Sequence, residues 1–241
     1  MAIPYLVGAY VVEEQAAKAT GHPFTLPFAR TLNLKLDDRV TVLVGENGSG
    51  KSTIVEALAE LMGLPWDGGG GTELADSERT GAPRLAHFMR PRVKNKPRNK
   101  YFFRAEALSD FARLLEARDK DPDFRQWGDP YARYGGKSIR ERSHGEGVKA
   151  LLQSHDRPGL YLFDEPEAAL SPMAQVDFVK LINARVATDT FQFVIATHSP
   201  LIMNIDGAHL ISLDGGALNP TKKEATAHWK TYAALFKEAA R

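Results

Sequence analysis

Apolar runs and helical periods alternate along this chain, which predicts an α/β architecture. Arg39-Val40-Thr41-Val42-Leu43-Val44 is a β-rich run that stops at Gly45. Ser52 to Met62 follows with Ile54, Val55, Leu58, Leu61 and Met62 on one helical face, and Gly63 and Pro65 end it. Asp67 to Thr72 is glycine-rich and reads as a flexible loop. Tyr101-Phe102-Phe103 predicts a short strand, and Ala105 to Arg118 a helix with Leu108, Phe111, Leu114 and Leu115 inward. A polar, proline-containing stretch covers 119–142. A further helix is expected from near Gly145, carrying Val148, Leu151 and Leu152. Gly159-Leu160-Tyr161-Leu162-Phe163 and Phe191 to Ala196 are apolar on both faces, as strands buried inside a parallel sheet are. Between them, Ser171-Pro172 is a helix start, with Ser as N-cap and Pro in the first turn. Val176, Val179, Ile182 and Val186 mark its predicted buried stripe. Leu210-Ile211-Ser212-Leu213 reads as another strand, and Trp229, Tyr232, Ala233 and Phe236 as one side of a C-terminal amphipathic helix. No internal repeat and no long linker interrupts the pattern.

Composition narrows the classes. The 241 residues carry 31 Lys+Arg against 30 Asp+Glu, a net charge of +1, which excludes a globally basic nucleic-acid binder. There is no cysteine, so disulfide frameworks, thiolate metal sites and cysteine nucleophiles are excluded. No apolar run approaches a membrane span of roughly 18–20 residues. The first residues, MAIPYLVGAYVVEE, lack the basic start of a signal peptide. A cytoplasmic location is expected on these grounds.

Three strand ends carry candidate chemistry. Gly45-Glu46-Asn47-Gly48-Ser49-Gly50-Lys51-Ser52-Thr53 fits G-x-x-x-x-G-K-[ST], and it joins a strand to a helix as that motif requires. Glycines let backbone N–H groups turn inward around phosphate oxygens, and the helix N-terminus adds positive dipole. Asn47 to Thr53 are therefore the candidate phosphate-binding residues. Lys51 is placed to reach the β- and γ-phosphates and the Ser52 hydroxyl to ligate Mg²⁺. Phe163-Asp164-Glu165 puts two carboxylates at the carboxyl end of a buried strand, where open α/β sheets bind ligands. Asp164 is a candidate Mg²⁺ ligand and Glu165 a candidate base or positioner for the attacking water. Thr197-His198 repeats the arrangement after Ala196, and His198 can hydrogen-bond a γ-phosphate and that water.

Together these residues resemble an ABC-type ATPase, closest to small stand-alone bacterial ATPases of that class with no transmembrane part. Gly45–Thr53 stands at the place of Walker A, Leu160–Glu165 at Walker B, Ala168–Ser171 at the D-loop and His198 at the switch histidine. Arg142-Ser143-His144-Gly145-Glu146-Gly147 resembles a degenerate ABC signature, with Ser143 placed 21 residues before Asp164. Ser143 and Gly145 match the signature's Ser and second Gly, while His144 and Glu146 depart from it. The resemblance implies one ATPase domain over 1–241. Its fold would have a mainly parallel P-loop core, an N-terminal antiparallel β layer and a helical lobe near 105–155. It further implies ATP and Mg²⁺ as cofactors. The chain would form an ATP-dependent homodimer, each ATP lying between Walker A of one copy and Ser143–Gly145 of the other. The output would pass through a separate, unidentified protein partner. Two rival roles share the fold: nucleotide-binding subunit of a transporter, and DNA repair or maintenance ATPase.

Transporter ATPases carry a Gln at the lobe junction. Here the only Gln between the two motifs is Gln126, which follows no strand, and Arg104 or Glu106 stands in the expected place. The family also stacks an N-terminal aromatic on adenine; Tyr5, Tyr10, His22 and Phe24 are candidates, each with packing as its alternative job. Finally, Arg90, Arg92, Lys94, Lys96, Arg98 and Lys100 give six cations in 11 residues. The run can contact a nucleic-acid backbone, but it reads first as a solvated, mobile loop.

Overall fold

The computed structural model describes residues 4–65, 68–70, 84–106, 108–138 and 144–239. In chain order the elements are β1 (Leu6–Val11), α1 (Glu13–Ala16), β2 (Asn33–Lys35), β3 (Val40–Val44), α2 (Lys51–Leu61), β4 (Gly69–Gly70), β5 (Met89–Val93), β6 (Asn99–Arg104), α3 (Leu108–Lys120), α4 (Pro122–Arg125), α5 (His144–Ser154), β7 (Gly159–Asp164), α6 (Pro172–Val186), β8 (Phe191–Ala196), β9 (His209–Ser212), β10 (Asn219–Thr221) and α7 (Ala227–Ala239). The main sheet runs β10-β9-β3-β8-β7-β6-β4. Its five inner strands are parallel, and β4 and β10 close the edges antiparallel. A second, antiparallel sheet has the order β2-β1-β5.

Alternation along the buried strands builds two cores. Leu43, Phe102, Leu160, Leu162, Val194 and Ala196 face the layer containing α2 and the antiparallel sheet. Val42, Val44, Phe103, Tyr161, Phe163, Phe193 and Ile195 face α6 on the other side. Rings stack across that second face, Phe191 on Phe193 at 6.0 Å and Phe163 edge-on to Phe178 at 5.2 Å. This offset and edge-on geometry suits the quadrupoles of aromatic rings.

Several expectations are corrected. The α6 stripe is Phe178, Ile182 and Arg185, with Val176, Val179 and Val186 only half-buried. Arg185 is accommodated because its guanidinium donates to the Leu152 carbonyl and lies over Phe191. On α3, Leu115 is buried and Leu114 half-buried, while the side chains of Leu108 and Phe111 lie outside the described residues. Leu152 of α5 is buried; the side chains of Val148 and Leu151 likewise lie outside them. Within the expected glycine loop, Gly69–Gly70 pairs with β6. The C-terminal helix forms, but none of its residues is buried, and Tyr232, Leu235 and Phe236 stand exposed.

The basic run is not one mobile loop. Its first part is β5, paired to β1, and its last two residues begin β6. Tyr10 faces Asn33 and Arg90 across the strands, and Gly8 faces Lys35 and Arg92, so these six share the outer side of the antiparallel sheet. Arg92 stacks over Tyr10 and donates to Asn33, which orders it. Lys100 donates to the Met62 carbonyl and so serves the C-terminal end of α2.

One polar side chain ties the two sheets together. Gln192, fully buried in β8, accepts at Oε1 from the N–H of Tyr5 (2.8 Å) and Leu6 (3.0 Å). Its Nε2 donates to the carbonyls of Leu6 (2.7 Å) and Leu36 (3.2 Å). Four backbone groups of the antiparallel layer are thereby satisfied by one amide. Gln192→Leu is expected to leave them unpaired and cost roughly 2–4 kcal/mol of stability, read by urea denaturation. A loss below ~0.5 kcal/mol would mean water replaces the amide and the tie is dispensable.

Candidate nucleotide site

The five parallel strands deliver their carboxyl ends to one edge of the sheet, and Lys51, Ser52, Asp164, Glu165 and His198 sit there. After β3 the chain turns through Gly45, Gly48 (φ +78°) and Gly50 (φ +96°) into α2. Gly50 is obligatory, because a Cβ would come within 2.6 Å of the Phe28 ring. Lys51 is only 3% exposed, and its Nζ donates back to the carbonyls of Gly45 (2.8 Å) and Glu46 (3.1 Å). The cation thus lies over its own loop. Asn47 and Gly48 are exposed at the tip, Ser52 and Thr53 half-buried in the first turn of α2. Asp214, just past β9, accepts from the Glu46 N–H at 2.9 Å and pins the loop. Its role is not visible in the sequence; the only hint is an acid directly after a predicted strand.

Asp164 closes β7 beside the first turn of α2, and Ser52 hydrogen-bonds to its carboxylate. Burial pushes the Asp164 carboxyl up to about 7, with the Ser52 hydrogen bond and Arg104 pulling the other way. Arg104, opposite Asp164 in the β6–β7 register, places Nε 3.7 Å from its carboxylate and NH1 2.7 Å from Glu56 of α2. The same guanidinium holds Glu106 at 3.1 Å, a residue 82% exposed. Of the two residues expected at this place, it is therefore Arg104, not Glu106, that meets Asp164.

Asp164 Oδ1 and Ser49 Oγ are buried without hydrogen-bond partners among the described residues. An acidic oxygen left open, with the Ser52 hydroxyl on the same carboxylate, suits Mg²⁺, a hard cation that takes oxygen ligands and shares them with phosphates. The residues present therefore fit a Mg²⁺–nucleotide.

Glu165 adopts φ +45°, ψ +54°, a left-handed conformation costly for a residue with a Cβ. Its Oε1 lies 4.0 Å from Lys51 Nζ and 3.8 Å from His198 Nδ1. The structure thus brings Lys51, Glu165 and His198 to one spot, with Ser52 and Asp164 alongside. Glu167 is a further group that sequence reasoning missed: its Oε1 accepts from Thr197 Oγ1 (2.7 Å) and the His198 N–H (2.8 Å). Ser143 lies outside the described residues, and Gly145 falls in the first turn of α5. Of the candidate aromatics, Tyr5 and Phe24 are core, Tyr10 lies under Arg92, and His22 is exposed near Glu56.

Two family descriptions match the chain. "AAA domain, putative AbiEii toxin, Type IV TA system" matches residues 135–204, and "AAA domain" matches residues 24–69. The first span contains Asp164, Glu165 and His198, the second the phosphate loop. Among solved structures, the SMC head domain from Thermotoga maritima is 19% identical, with TM-score 0.46 over 91% of this chain and 100% of that one. CbiO1 from Clostridium perfringens, part of the ABC transporter complex CbiONQ, is 18% identical, with TM-score 0.46 over 99% and 96%. An SMC head bound to the C-winged helix domain of ScpA is 15% identical, with TM-score 0.48 over 90% and 98%. No curated protein matches the sequence. The glycine loop between β3 and α2 and the parallel strand order define the class: the fold is that of a P-loop α/β domain, and AAA-domain descriptions match two parts of it. No helix among the described residues is long and apolar enough to cross a membrane.

The raised Asp164 carboxyl makes stability of the ligand-free protein depend on pH. Between its ordinary value of 3.8 and about 7 the folded chain holds a proton that the unfolded chain has released. That contribution is full below the lower value and is lost as pH rises through the upper one. Asp164→Asn removes the buried charge and leaves Arg104 with Glu56 and Glu106. Without nucleotide or metal it is expected to be more stable than wild type at pH 8 by about 1–3 kcal/mol, under a ceiling of roughly 4. At pH 5 the gain shrinks. Urea denaturation at both values checks this, and a variant less stable than wild type at pH 8 contradicts it.

Proposed function

We propose that this chain binds ATP with Mg²⁺ and hydrolyses it to ADP and phosphate. The observation that carries the reading is the convergence of Lys51, Glu165 and His198 within 4.0 Å contacts beside the Ser52–Asp164 pair. Lys51 leaves the carbonyls of Gly45 and Glu46 for the β- and γ-phosphates, which the loop N–H groups of Asn47 to Thr53 surround. Ser52 and Asp164 hold Mg²⁺, which when bound neutralises charge on the phosphate oxygens. Glu165 orients the attacking water and accepts its proton, and His198 hydrogen-bonds the γ-phosphate side of that water.

Residues 1–241 act as one ATPase domain, with its helical lobe near 105–155. Nucleotide draws two copies together, so that Ser143, and Gly145 in the first turn of α5, meet the ATP held by the other copy. Such a pair is two-fold symmetric and buries both sites alike. Closing and opening of the pair switches a separate cytoplasmic protein partner. A partner in a defence or stress system suits the description of the family matched over residues 135–204. Arg104 in place of the lobe-junction Gln weighs against a transporter partner.

Glu165→Gln keeps the shape and removes the base. It is expected to bind ATP within about threefold of wild type and to lose turnover by roughly 10²–10⁴-fold. With ATP it accumulates as dimer, read by light scattering on a sizing column. Hydrolysis at the wild-type rate would sink the role of Glu165.

A further inference from the structure

Glu167 is buried at a cost that its position in a short turn does not explain. It sits in the single turn Pro166–Ala169 after β7, and its side chain is 6% exposed. Among the described residues no lysine or arginine pairs with it, and its Oε2 is buried without a hydrogen-bond partner. Isolated buried carboxylates are expensive unless donors hold them. All the donors here come from one loop, the one that leaves β8. Oε1 accepts from Thr197 Oγ1 and from the His198 N–H, while Thr197 Oγ1 in turn accepts from the Ser199 N–H at 3.0 Å. The His198 ring lies beside them: its Nδ1 is buried without a hydrogen bond of its own and is 3.4 Å from the same Oε1, closer than its 3.8 Å to Glu165. The ring also lies beside His228 of α7, with centroids 5.5 Å apart.

We propose that Glu167 is the positioning residue for His198. Its Oε1 fixes the loop through Thr197 and the His198 amide, and accepts a hydrogen bond from Nδ1–H once the ring turns to align it. The neutral ring is thereby held as the Nδ1–H tautomer, with Nε2 left as the nitrogen that meets the nucleotide and its water. The same carboxylate couples the turn after Glu165 to the histidine loop, so both move as one piece when the site is filled. The inference rests on the reading of His198 as part of an ATP-hydrolysing site.

The test uses the full chain labelled with ¹⁵N-histidine. Two-bond ¹H–¹⁵N correlation spectra report the tautomer of each ring, and the His198→Gln spectrum identifies the His198 signals among the seven histidines. In wild type the Nδ1–H form is expected. In Glu167→Gln, whose amide can still accept from Thr197 and the His198 N–H but offers Nδ1 an N–H₂ or a weaker acceptor, the ring is expected to shift toward Nε2–H. The same variant is expected to lose about tenfold or more in kcat, with ATP affinity within threefold of wild type. A merely structural glutamate would leave the tautomer unchanged. A wild-type ring found with Nδ1 bare overturns the proposal whether or not the variant folds. So does a Glu167→Gln variant with wild-type tautomer and kcat. If wild type shows no ATP hydrolysis, the functional reading fails, and the tautomer measurement still decides the role of Glu167.

Discussion

The site depends on one constraint, the parallel register of β3, β8 and β7. Hydrogen bonds continue one step past the strand ends: the Glu165 N–H reaches the Ala196 carbonyl at 3.0 Å, and the Thr197 N–H reaches Leu43 at 3.1 Å. The Leu213 N–H does the same to Val44 at 2.9 Å. These bonds hold the phosphate loop, the acidic turn, the histidine loop and Asp214 at one height. A slip of one residue in any of these strands would swap the rows it sends to the two cores, so the cores and the site enforce the same register.

Strain and burial are concentrated where that register ends. Gly45, Gly48 and Gly50 supply backbone angles that other residues avoid, and Glu165 takes such an angle despite its side chain. Lys51 and Asp164 are both nearly sealed from water, and neither meets an ideal partner in the ligand-free chain. Arg104 moderates this by linking α2, β6 and β7 through Glu56 and Asp164. A bound metal and phosphates would answer the same charges more fully, which is how a site can be preorganised and still favour its ligand.

The class of fold was legible because its signals are local. Strands apolar on both faces, a glycine loop between strand and helix, and Ser171-Pro172 at a helix start each follow from a few adjacent residues. The same locality located Lys51, Asp164, Glu165 and His198. What stayed hidden depends on partners far away in the chain. Gln192 reads as a flaw in an apolar strand until its four backbone partners, 156 to 187 residues distant, are seen. The expected α6 stripe took in Val176 and left out Arg185, because helical spacing gives a face but not its rotation against the sheet. Asp214 and Glu167 carry no motif of their own, since each acts on a backbone brought close only by the fold. The basic run misled because alternating Arg and Lys look like a solvated loop; in a strand the same alternation puts Arg90 and Arg92 on one outer side.

The central claim is that the strand-end edge is a site for breaking the terminal phosphate bond of ATP. The most direct measurement is phosphate release from Mg²⁺–ATP by wild type and by Lys51→Ala, prepared side by side, with ATP affinity read on the same samples. The account predicts steady release by wild type, and an affinity at least tenfold weaker with release reduced to background in the variant. Equal release from both proteins, or no ATP binding by wild type, would contradict it.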